Sequence, residues 1–578
     1  ALPILTQMDD AKTTNELQNF YDHGIRSVAI VLMHGYRYHD HENRLAAIAR
    51  DIGFPQVSVS HDASPLMKLI SRGDTTVVDA YLSPILSKYV NEVAEELQGL
   101  DQHGGRLMFM QSSGGLTESG FFQGKDAILS GPAGGVVGMA RVSENAGFEK
   151  VIGFDMGGTS TDVSHYDGEF EKAFETHVAG VRIRAPMMLI HTVAAGGGSI
   201  LNFDGARYRI GPDSAGAFPG PASYRNDGPL TVTDCNVMLG KLQPELFPKL
   251  FGPNSNEALD SEIVRTKFGE LAAEIERASG NRPRPENVAA GFLAVAVQNM
   301  ANAVKKISVQ RGYDVTEYTL SCFGGAGGQH ACLVADSLAM KRILIHPFAG
   351  VLSAYGMGLA DTVIGHQEAV EAVLNSECLV KLEFVLDRLQ RSGIDEIGRQ
   401  GEDCADLDFK RQLHIRYQGS DTALVVNQSS IQEVIDQFEK LHQMRFGFIS
   451  TEKEMIVESV EVEVIAAANP CSIAKSNAEE KENCQAVPEL NCFIDDEWRE
   501  TPFYRRDDLS INKPIEGPAI VLDPTSTVVV EPGWKCVITA DNNIVLERYI
   551  PRKEAKSLGT KVDPVMLEIF NNLFMSVA

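Results

Sequence analysis

Helical and extended patterns alternate over the first sixty residues. Apolar residues recur at helical spacing over residues 14–23 and 42–52, and compact apolar runs follow at 27–33 and 57–60. Alternation of this kind is typical of an α/β domain with a parallel sheet.

Further along, the pattern predicts a long amphipathic helix over residues 79–97. Two strands, 151–155 and 161–166, then enclose a glycine turn, and the second strand ends in Asp167-Gly168, a favoured hairpin turn. We therefore expect a β-hairpin around this glycine turn.

A second glycine loop lies between a strand and a helix. Apolar spacing over residues 287–309 predicts a helix, and a strand over 318–323 leads into the glycine loop 324–328. A helix over 329–340 and a strand over 342–346 complete the unit. Ligands usually bind at such strand ends in open α/β sheets.

The charge of the chain argues against nucleic acid as a partner, because 78 acidic side chains against 52 basic ones give a formal charge of -26. No apolar run reaches the roughly 18 residues of a membrane helix, and the first residues lack the pattern of an export signal. Nine cysteines without a C-x-x-C pair suggest reduced thiols. We expect a cytoplasmic protein with no membrane span.

The segment from Gly153 to Asp162 carries the strongest chemical signal. It reads GFDMGGTSTD, with two glycines and three hydroxyl side chains between Asp155 and Asp162. Glycines let backbone N–H groups approach phosphoryl oxygens, hydroxyls can donate to them, and a carboxylate can hold Mg²⁺. The alternative is a tight hairpin that the aspartates merely cap.

Three more glycine-rich runs accompany this segment, at residues 130–135, 194–199 and 324–328. Taken alone, the run at residues 324–328 is equally well explained by close packing of a helix on a sheet. Together, four glycine loops suggest a large ligand contacted from several sides. The chain has no G-x-x-x-x-G-K-[ST] and no G-x-G-x-x-G after a strand, which disfavours a P-loop NTPase and a Rossmann dehydrogenase.

Several isolated polar side chains have a structural explanation beside a functional one. His191 and His330, each next to a glycine run, could contact a ligand or form structural hydrogen bonds. Lys305 and Lys306 could reach a phosphate, but an exposed helix end explains them as well. The remaining candidates are Arg72, either an anion ligand or a surface charge, and His34, His39 and His41, which lack a convincing metal-ligand geometry.

The ordered motifs resemble those of the hydantoinase A/5-oxoprolinase family. The motifs are the segments 154–162, 130–135, 191–199, 211–216 and 323–331, and the run TVTDCNVMLG at 231–240 is most similar to the 5-oxoprolinase branch. Five such motifs in one order are hard to obtain by chance. The resemblance covers essentially the whole chain and implies an actin/hexokinase-like, ribonuclease H-like α/β nucleotide-binding fold with a C-terminal β-rich domain.

The resemblance also implies a phosphate loop at residues 155–162 and an adenosine-side loop at 324–328. We assign Asp155 and Asp162 to catalysis, as ligands of Mg²⁺ or as groups that position the nucleophile. The predicted nucleotide-binding residues are Gly157, Gly158, Thr159, Thr161, Gly196, Gly197, Gly198, Gly324, Gly325, Gly327 and Gly328.

The function implied by the resemblance is ATP-dependent hydrolysis of a cyclic amide, first of all 5-oxo-L-proline to L-glutamate, with ATP and Mg²⁺ as cofactors. Amide resonance makes a lactam carbonyl a poor electrophile, and phosphorylation of its oxygen would overcome this. The protein then mainly positions groups and neutralises charge. An N-methylhydantoinase, an ATP-dependent carboxylase subunit of the same superfamily and a catalytically silent truncated subunit remain alternatives.

Relative to the family, the chain is expected to be cut short at both ends. Family members normally carry another D-x-G-G-T loop ahead of the region where Ala1 stands, and DPVMLEIF at residues 563–570 resembles the opening helix of a B-type half. We expect an oligomer that has this half as a partner, fused or separate. The predicted domains are an α/β domain lacking its N-terminal phosphate-loop part (1–145), a hydantoinase A-type nucleotide-binding domain (146–365), an α+β domain (366–468), a linker or exposed loop (469–497), a small β-domain (498–552) and the start of the B-type half (553–578).

Overall fold

The computed structural model describes residues 7–97, 105–178, 180–468, 487–551 and 564–577. The chain divides into two compact units, and each unit combines separate stretches of sequence. The first unit draws on residues 1–137, 171–189 and 357–471, and the second on residues 138–170, 190–356 and 472–578.

The secondary-structure elements are numbered along the chain. The helices are α1 (Asp10–Asp22), α2 (Asp40–Ile52), α3 (Ser60–Ala63), α4 (Leu69–Glu96), α5 (Ser130–Asn145), α6 (Val232–Met238), α7 (Ser261–Ser279), α8 (Pro285–Ile307), α9 (Ala331–Ser337), α10 (Leu352–Met357), α11 (Ser376–Arg399), α12 (Ile431–Phe446) and α13 (Pro564–Val577). The strands are β1 (Ser27–Ile30), β2 (Gln56–Val59), β3 (Met108–Met110), β4 (Leu116–Glu118), β5 (Lys150–Met156), β6 (Thr161–Asp167), β7 (Lys172–Ala173), β8 (Thr176–Val178), β9 (Val181–Ile183), β10 (Met187–Met188), β11 (Ile190–Val193), β12 (Ser199–Phe203), β13 (Tyr208–Ser214), β14 (Thr319–Phe323), β15 (Arg342–Ile345), β16 (Thr362–Val373), β17 (Leu407–Tyr417), β18 (Leu424–Asn427), β19 (Met455–Ala466), β20 (Val487–Ile494), β21 (Glu497–Arg505), β22 (Ile515–Glu516), β23 (Ala519–Asp523), β24 (Ser526–Val530), β25 (Trp534–Ile538) and β26 (Ile544–Arg548).

The N-terminal part of the first unit confirms the predicted alternation of helices and strands. Strands β1 and β2 pair in parallel along their whole length. Helix α1 starts where the side chain of Asp9 accepts a hydrogen bond from the Lys12 N–H at 3.0 Å. Ile30, Ala46 and Val59 form the small core between α2 and the two strands.

Helix α4 is longer than the pattern predicted, because it begins at Leu69 and continues to Glu96. Pro84 lies inside it and cannot donate to the carbonyl of Ala80, and that carbonyl instead accepts from the hydroxyl of Ser27. The predicted amphipathic character is wrong for this helix. Its buried residues are mostly polar, whereas large apolar side chains are exposed.

The larger sheet of the first unit has the strand order β18-β17-β19-β16-β4-β3. Helices α11 and α12 cover one face of this sheet through an apolar core that includes Leu386, Phe438 and Val464. The other face of β19 carries Glu461 and Glu463, both buried. Glu461 lies within hydrogen-bond distance of His414 Nε2, at 3.0 Å, and Glu463 forms an ion pair with Lys172, so both buried carboxylates have a partner.

The main sheet of the second unit has the order β11-β6-β5-β14-β15-β26-β25-β22. The predicted hairpin is confirmed, since β5 and β6 pair antiparallel with Asp155 opposite Asp162. The predicted strand, glycine loop, helix and strand unit is also confirmed. Strand β14 lies parallel between β5 and β15, and α9 follows the loop.

The C-terminal strands belong to two sheets, and their pairing was not predicted from sequence. Strand β26 pairs antiparallel with β15, with Ile544 opposite Ile345, so that β26, β25 and β22 extend the main sheet. Strands β20, β21, β23 and β24 form a separate four-stranded sheet. The strands of the predicted small β-domain (498–552) are thus shared between the two sheets.

Parts of the remaining predicted segments lie outside the described residues. Of the predicted linker, residues 469–486 lie outside, whereas residues 487–494 form β20 and are not a loop. Of the predicted start of a B-type half, residues 553–563 and 578 lie outside. The predicted domain boundaries themselves stay predictions.

Helix α13 packs against α8, with the Asn572 Nδ2 donating to Asn299 Oδ1 at 3.0 Å. In the part of the chain that the structure describes, the segment Pro285–Arg311 is long and apolar enough to cross a membrane, and 61% of its apolar window is buried inside the protein. A buried core helix has the same length and composition. Helix α8 packs in this way, with residues such as Phe292 and Met300 fully buried.

Two glycines of α11 allow a matched test of its packing on β19. A Cβ atom on Gly393 would lie 2.5 Å from Val464 Cγ2, whereas one on Gly398 would only touch Cys404 Sγ at 3.4 Å. We expect Gly393→Ala to lower the free energy of unfolding by about 1–2 kcal/mol, because overpacking outweighs the gain in helix propensity. Gly398→Ala should leave it unchanged or raise it by up to about 1 kcal/mol. Thermal unfolding followed by circular dichroism measures both, and equal melting temperatures for the two variants would contradict this packing.

Candidate functional site

Two carboxylates face each other across the β5–β6 hairpin. Asp155 and Asp162 are opposite residues in the antiparallel register, so their side chains lie on the same face of the sheet. Strand β11 continues the row and places Thr192 opposite Asp162. The Thr192 Oγ1 donates to Asp162 Oδ1 at 2.6 Å, which fixes the orientation of that carboxylate.

Burial makes the ionised form of this pair unfavourable. Burial, together with the nearby charge of Asp162, raises the pKa of Asp155 to about 6. Burial also raises the pKa of Asp162, against the opposing effect of the hydrogen bond from Thr192. Two partly buried carboxylates that repel each other would be stabilised by a bound cation.

The glycine run after β11 packs directly on the turn between β5 and β6. The N–H of Gly197 donates to the carbonyl of Gly157 at 3.1 Å, and the N–H of Gly198 donates to that of Gly158 at 2.6 Å. A Cβ atom on Gly196 would lie 2.6 Å from the nitrogen of Ser160, so glycine is required at this approach.

Neighbouring polar groups hold this glycine run in place. Thr161 is fully buried, and its hydroxyl donates to the carbonyl of Ala195 at 2.6 Å. The carbonyl of Gly197 accepts from both the backbone and the hydroxyl of Thr233, at 2.8 and 2.9 Å. The segment after β13 joins the same cluster, because the N–H of Ala215 donates to the carbonyl of Gly198 at 2.9 Å.

The loop after β14 completes the cluster on the side of β5. Gly324 has a φ of 81°, and a Cβ atom there would lie 2.5 Å from Asp155 Oδ1. The N–H of Ala326 donates to the carbonyl of Met156 at 3.0 Å, which ties this loop to the hairpin. The structure therefore brings three of the four predicted glycine loops together around Asp155.

The predicted nucleotide-binding residues separate into two groups by exposure. Gly158, Thr159 and Gly325 are exposed, and Gly157 and Gly324 are half-buried. No atom lies within 4 Å of a Cβ built on Gly158. The other predicted residues are buried and pack the loops together: Thr161, Gly196, Gly197, Gly198, Gly327 and Gly328.

The fourth glycine run does not form a loop. Residues 130–135 are the first turns of α5, which begins at Ser130. The expectation of a fourth loop there was wrong, because Gly131 and Pro132 tolerate the start of a helix as readily as a turn.

Of the two histidines next to glycine runs, His191 faces away from the carboxylates and His330 is buried. His191 is opposite Val163 in the register, and successive strand residues alternate, so it lies on the other face of the sheet from Thr192. Burial, together with the charge of Lys306, lowers its pKa. His330 is buried, and burial together with the charge of Lys241 lowers its pKa to about 3. Both placements favour the structural explanation.

Arg72 is also a structural residue, and it is not on the surface. It is fully buried and donates to Ser60 Oγ at 3.0 Å and to the carbonyls of Leu66 at 2.8 Å and Met33 at 3.1 Å. Glu42 joins this network by accepting from Ser60 Oγ at 2.7 Å. Arg72 thus connects the segments that follow β1 and β2.

The histidine cluster near Arg72 does not assemble as a metal site. His39 stacks on His61, with ring centroids 4.2 Å apart, and His61 Nδ1 lies 2.6 Å from Glu42 Oε2. His34 and His41 are not part of that stack. Over the described ranges of the chain, no group of three or more His, Cys, Asp or Glu side chains is placed to hold a metal ion.

The carboxylate pair nevertheless fits Mg²⁺. This ion keeps several waters and is usually bound by one or two carboxylates together with substrate phosphates, so it needs no larger protein cage. Asp155 and Asp162 supply those carboxylates. The raised pKa values agree with a pair that has no positive partner among the residues that the structure describes.

Sequence reasoning missed two contributors to the site. Thr192 lies within the motif at residues 191–199. Alternation of side chains along a strand is the signal that would have placed it on the same face as Asp162. Thr525 lies in the turn between β23 and β24, and its carbonyl is 3.7 Å from a Cβ built on Gly325. No local signal in the sequence connects residues two hundred positions apart.

The mixed central sheet, with glycine loops gathered at the ends of β5, β11 and β14, defines an α/β protein with a glycine-loop site beside paired carboxylates. Family models agree with this class. The Hydantoinase/oxoprolinase model matches residues 72–366, its N-terminal region matches 2–53 and its C-terminal domain matches 371–548. The chain belongs to the hydantoinase/oxoprolinase family, which confirms the resemblance found in the motifs.

Curated relatives extend beyond this chain. It is 38% identical over 588 residues to the 5-oxoprolinase of Dictyostelium discoideum, an alignment that covers 98% of this chain and 46% of the relative. It is 39% identical over 602 residues to the 5-oxoprolinase of Saccharomyces cerevisiae, covering 100% and 46%. The chain therefore spans about half the length of these relatives.

A solved structure supports the fold. The crystal structure of the ATP-dependent caprolactamase from Pseudomonas jessenii matches with a TM-score of 0.83 at 27% identity, covering 94% of this chain and 80% of that chain. The α/β fold implied by the family resemblance, with its β-rich C-terminal part, is confirmed.

The raised pKa of Asp155 predicts how stability depends on pH. Between pH 3.8 and about pH 6, Asp155 holds a proton in the folded protein that it has lost in the unfolded chain. The stability of the fold therefore falls as the pH rises through this window. The substitution Asp155→Asn removes the titrating carboxyl group and, with it, this loss of stability. We expect the variant to be more stable than the parent near neutral pH, on the order of 1–2 kcal/mol, and equal to it near pH 4.

Thermal unfolding at the two pH values tests this expectation, with Asp213→Asn as the control because Asp213 is exposed on a neighbouring segment. An Asn variant that is less stable than the parent near neutral pH would contradict an unfavourable charge at Asp155.

Proposed function

We propose that this chain binds ATP with Mg²⁺ at the glycine-loop site and carries the phosphorylating half of an ATP-dependent hydrolysis of a cyclic amide. The observation that carries the proposal is the pair Asp155 and Asp162, partly buried beside an exposed glycine turn. The relatives named 5-oxoprolinase make 5-oxo-L-proline the first substrate to consider.

In this proposal the tip of the hairpin receives the phosphates. Gly158 and Thr159 are exposed at the tip of the turn, where their backbone N–H groups can approach phosphoryl oxygens. The N–H of Gly157 instead donates to the carbonyl of Ser160 at 3.1 Å and closes the turn. Asp155 and Asp162 would hold the metal ion, which supplies charge neutralisation during phosphoryl transfer. Gly324 and Gly325 would contact the adenosine side.

The buried glycines have a different task. Gly196, Gly197 and Gly198 hold the turn in position through backbone hydrogen bonds, and the hydroxyl of Thr161 is engaged with Ala195. Gly327 and Gly328 pack against Cys322 and Thr527. These residues preorganise the site without contacting the nucleotide.

The proposed reaction transfers the γ-phosphoryl group of ATP to the lactam carbonyl oxygen and releases ADP. One water then adds to the activated carbon and the ring C–N bond breaks, which leaves the phosphoryl group on the new carboxyl group. A second water hydrolyses this acyl phosphate, so that 5-oxoproline, ATP and two waters become glutamate, ADP and phosphate. The chain's residues position the two reactants and balance the charge that develops on the transferred group. We propose a B-type half, fused or separate, as the partner, and a cytoplasmic location.

A second candidate function is that of a subunit that binds nucleotide but turns over no substrate by itself. A relative that is 30% identical over 558 residues is named as the alpha subunit of a caprolactamase. Such a subunit would share the nucleotide site and lack only the hydrolytic step.

Release of ADP separates these functions. The chain is assayed with 5-oxoproline or with a hydantoin, alone and together with the unmatched remainder of the Dictyostelium discoideum 5-oxoprolinase. Release stimulated by 5-oxoproline and abolished by Asp155→Ala supports the proposal. Stimulation by the hydantoin alone would exclude 5-oxoproline as the substrate. Binding of ATP without release under any condition would favour the silent subunit.

Gly158 provides the sharper test of phosphate binding. Since no atom lies within 4 Å of its Cβ position, Gly158→Val should fold normally but fill the space that a phosphate needs. We expect binding of ATP with Mg²⁺, measured by calorimetry, to weaken tenfold or more, about 1.4 kcal/mol, with an unchanged melting temperature. Gly269→Val is the matched control, because its Cβ position in α7 is equally open. Unchanged affinity in Gly158→Val would exclude the turn as the phosphate site.

A further inference from the structure

Helix α4 presents a row of large apolar side chains to solvent. The row consists of Ile70, Val77, Tyr81, Ile85 and Tyr89, which are 70%, 56%, 72%, 65% and 57% exposed. Scattered apolar residues are common on protein surfaces, but a continuous stripe along one helix marks an interaction surface.

The inner face of α4 explains why this stripe is not needed for folding. It is mostly polar, and its groups are satisfied within the first unit. Asp79 accepts from Ser58 Oγ at 2.5 Å and Ser83 Oγ at 3.0 Å, and Thr75 Oγ1 accepts from the N–H of Arg184 at 2.8 Å. The helix is therefore held by hydrogen bonds on one side while its apolar side chains remain available on the other.

Three exposed apolar side chains and two flanking charged ones, the half-buried Asp74 and the exposed Lys88, follow a spacing that reads the same in both directions. Asp74, Val77, Tyr81, Ile85 and Lys88 occupy positions -7, -4, 0, +4 and +7 relative to Tyr81. This spacing keeps all five on one face of a helix over roughly 21 Å. The two ends carry opposite charges.

We propose that α4 pairs antiparallel with α4 of a second copy of this chain, around a two-fold axis at Tyr81. In that arrangement Tyr81 meets Tyr81, Val77 meets Ile85, and Asp74 meets Lys88, each of the last two contacts occurring twice. A parallel pair would place like charges together. The surface is thus complementary to itself, and the proposal does not depend on the enzymatic activity.

Lys88 can change partner at little cost. Its contact with Glu92 within the helix is 3.7 Å long and the two side chains are 78% and 62% exposed, and such pairs contribute little to stability. One helix pair buries less than the roughly 800 Å² per partner of a standard interface, so we expect a dissociation constant on the order of micromolar.

The net charge of the chain predicts how the association responds to salt. Two copies of charge -26 repel each other at long range, and added salt screens that repulsion. Because the contact at the centre is apolar, association should persist or strengthen as salt is raised. An interface built mainly on ion pairs would dissociate.

Sedimentation velocity of the full chain from about 1 to about 100 μM tests the proposal. The parent should shift from monomer to dimer, and Tyr81→Lys/Ile85→Lys should remain monomeric throughout. The matched control is Val380→Lys/Phe384→Lys, which adds two lysines at the same spacing on the exposed face of α11, where these residues are 63% and 75% exposed. This control should dimerise like the parent.

Charge reversal tests the antiparallel pairing itself. Asp74→Lys places lysine opposite Lys88, and Lys88→Asp places aspartate opposite Asp74, so each should weaken the dimer severalfold. The double variant Asp74→Lys/Lys88→Asp should restore it. Circular dichroism confirms folding of every variant.

Three results would overturn the proposal. The parent could stay monomeric over the whole range, the dimer could survive Tyr81→Lys/Ile85→Lys, or the double charge reversal could fail to recover the association lost in the single variants.

Discussion

The candidate site depends on one close approach between two stretches of backbone. The turn after β5 and the glycine run after β11 come so near that Gly197 and Gly198 donate directly to the carbonyls of Gly157 and Gly158. A side chain on Gly196 would separate them. The same approach keeps β11 in register beside β6, so that Thr192 can reach Asp162.

The protein buries charge in two contrasting ways. In the first unit, Arg72 and Glu463 are surrounded by hydrogen bonds or by an opposite charge, and burial is compensated locally. In the second unit, Asp155 faces a carboxylate of like charge and its pKa is raised to about 6. Such uncompensated repulsion costs stability and is typical of a functional site. It also gives the metal ion of the proposed function a physical reason to bind there.

Prediction from sequence succeeded where the signal was local. The hairpin around Gly157 and the strand, loop and helix after residue 318 follow from the periodicity of apolar residues and from glycine-rich turns. It failed for α4, because burial of a polar face depends on partners such as Ser58 and Arg184 that are remote in sequence. The same limit hid the pairing of β26 with β15, since nothing near residue 544 indicates a strand near 342.

The sequence by itself determined the family and the α/β class, and it singled out the segment from Asp155 to Asp162 as the candidate site, because these depend on residue types at fixed short spacing. Only the tertiary structure decided which glycines face solvent and which pack loops together, and that His191 faces away from the carboxylates. It also decided which face of α4 is exposed. These properties depend on contacts between segments that are distant along the chain, and hydrophobic pattern does not encode which distant segment a given residue will meet.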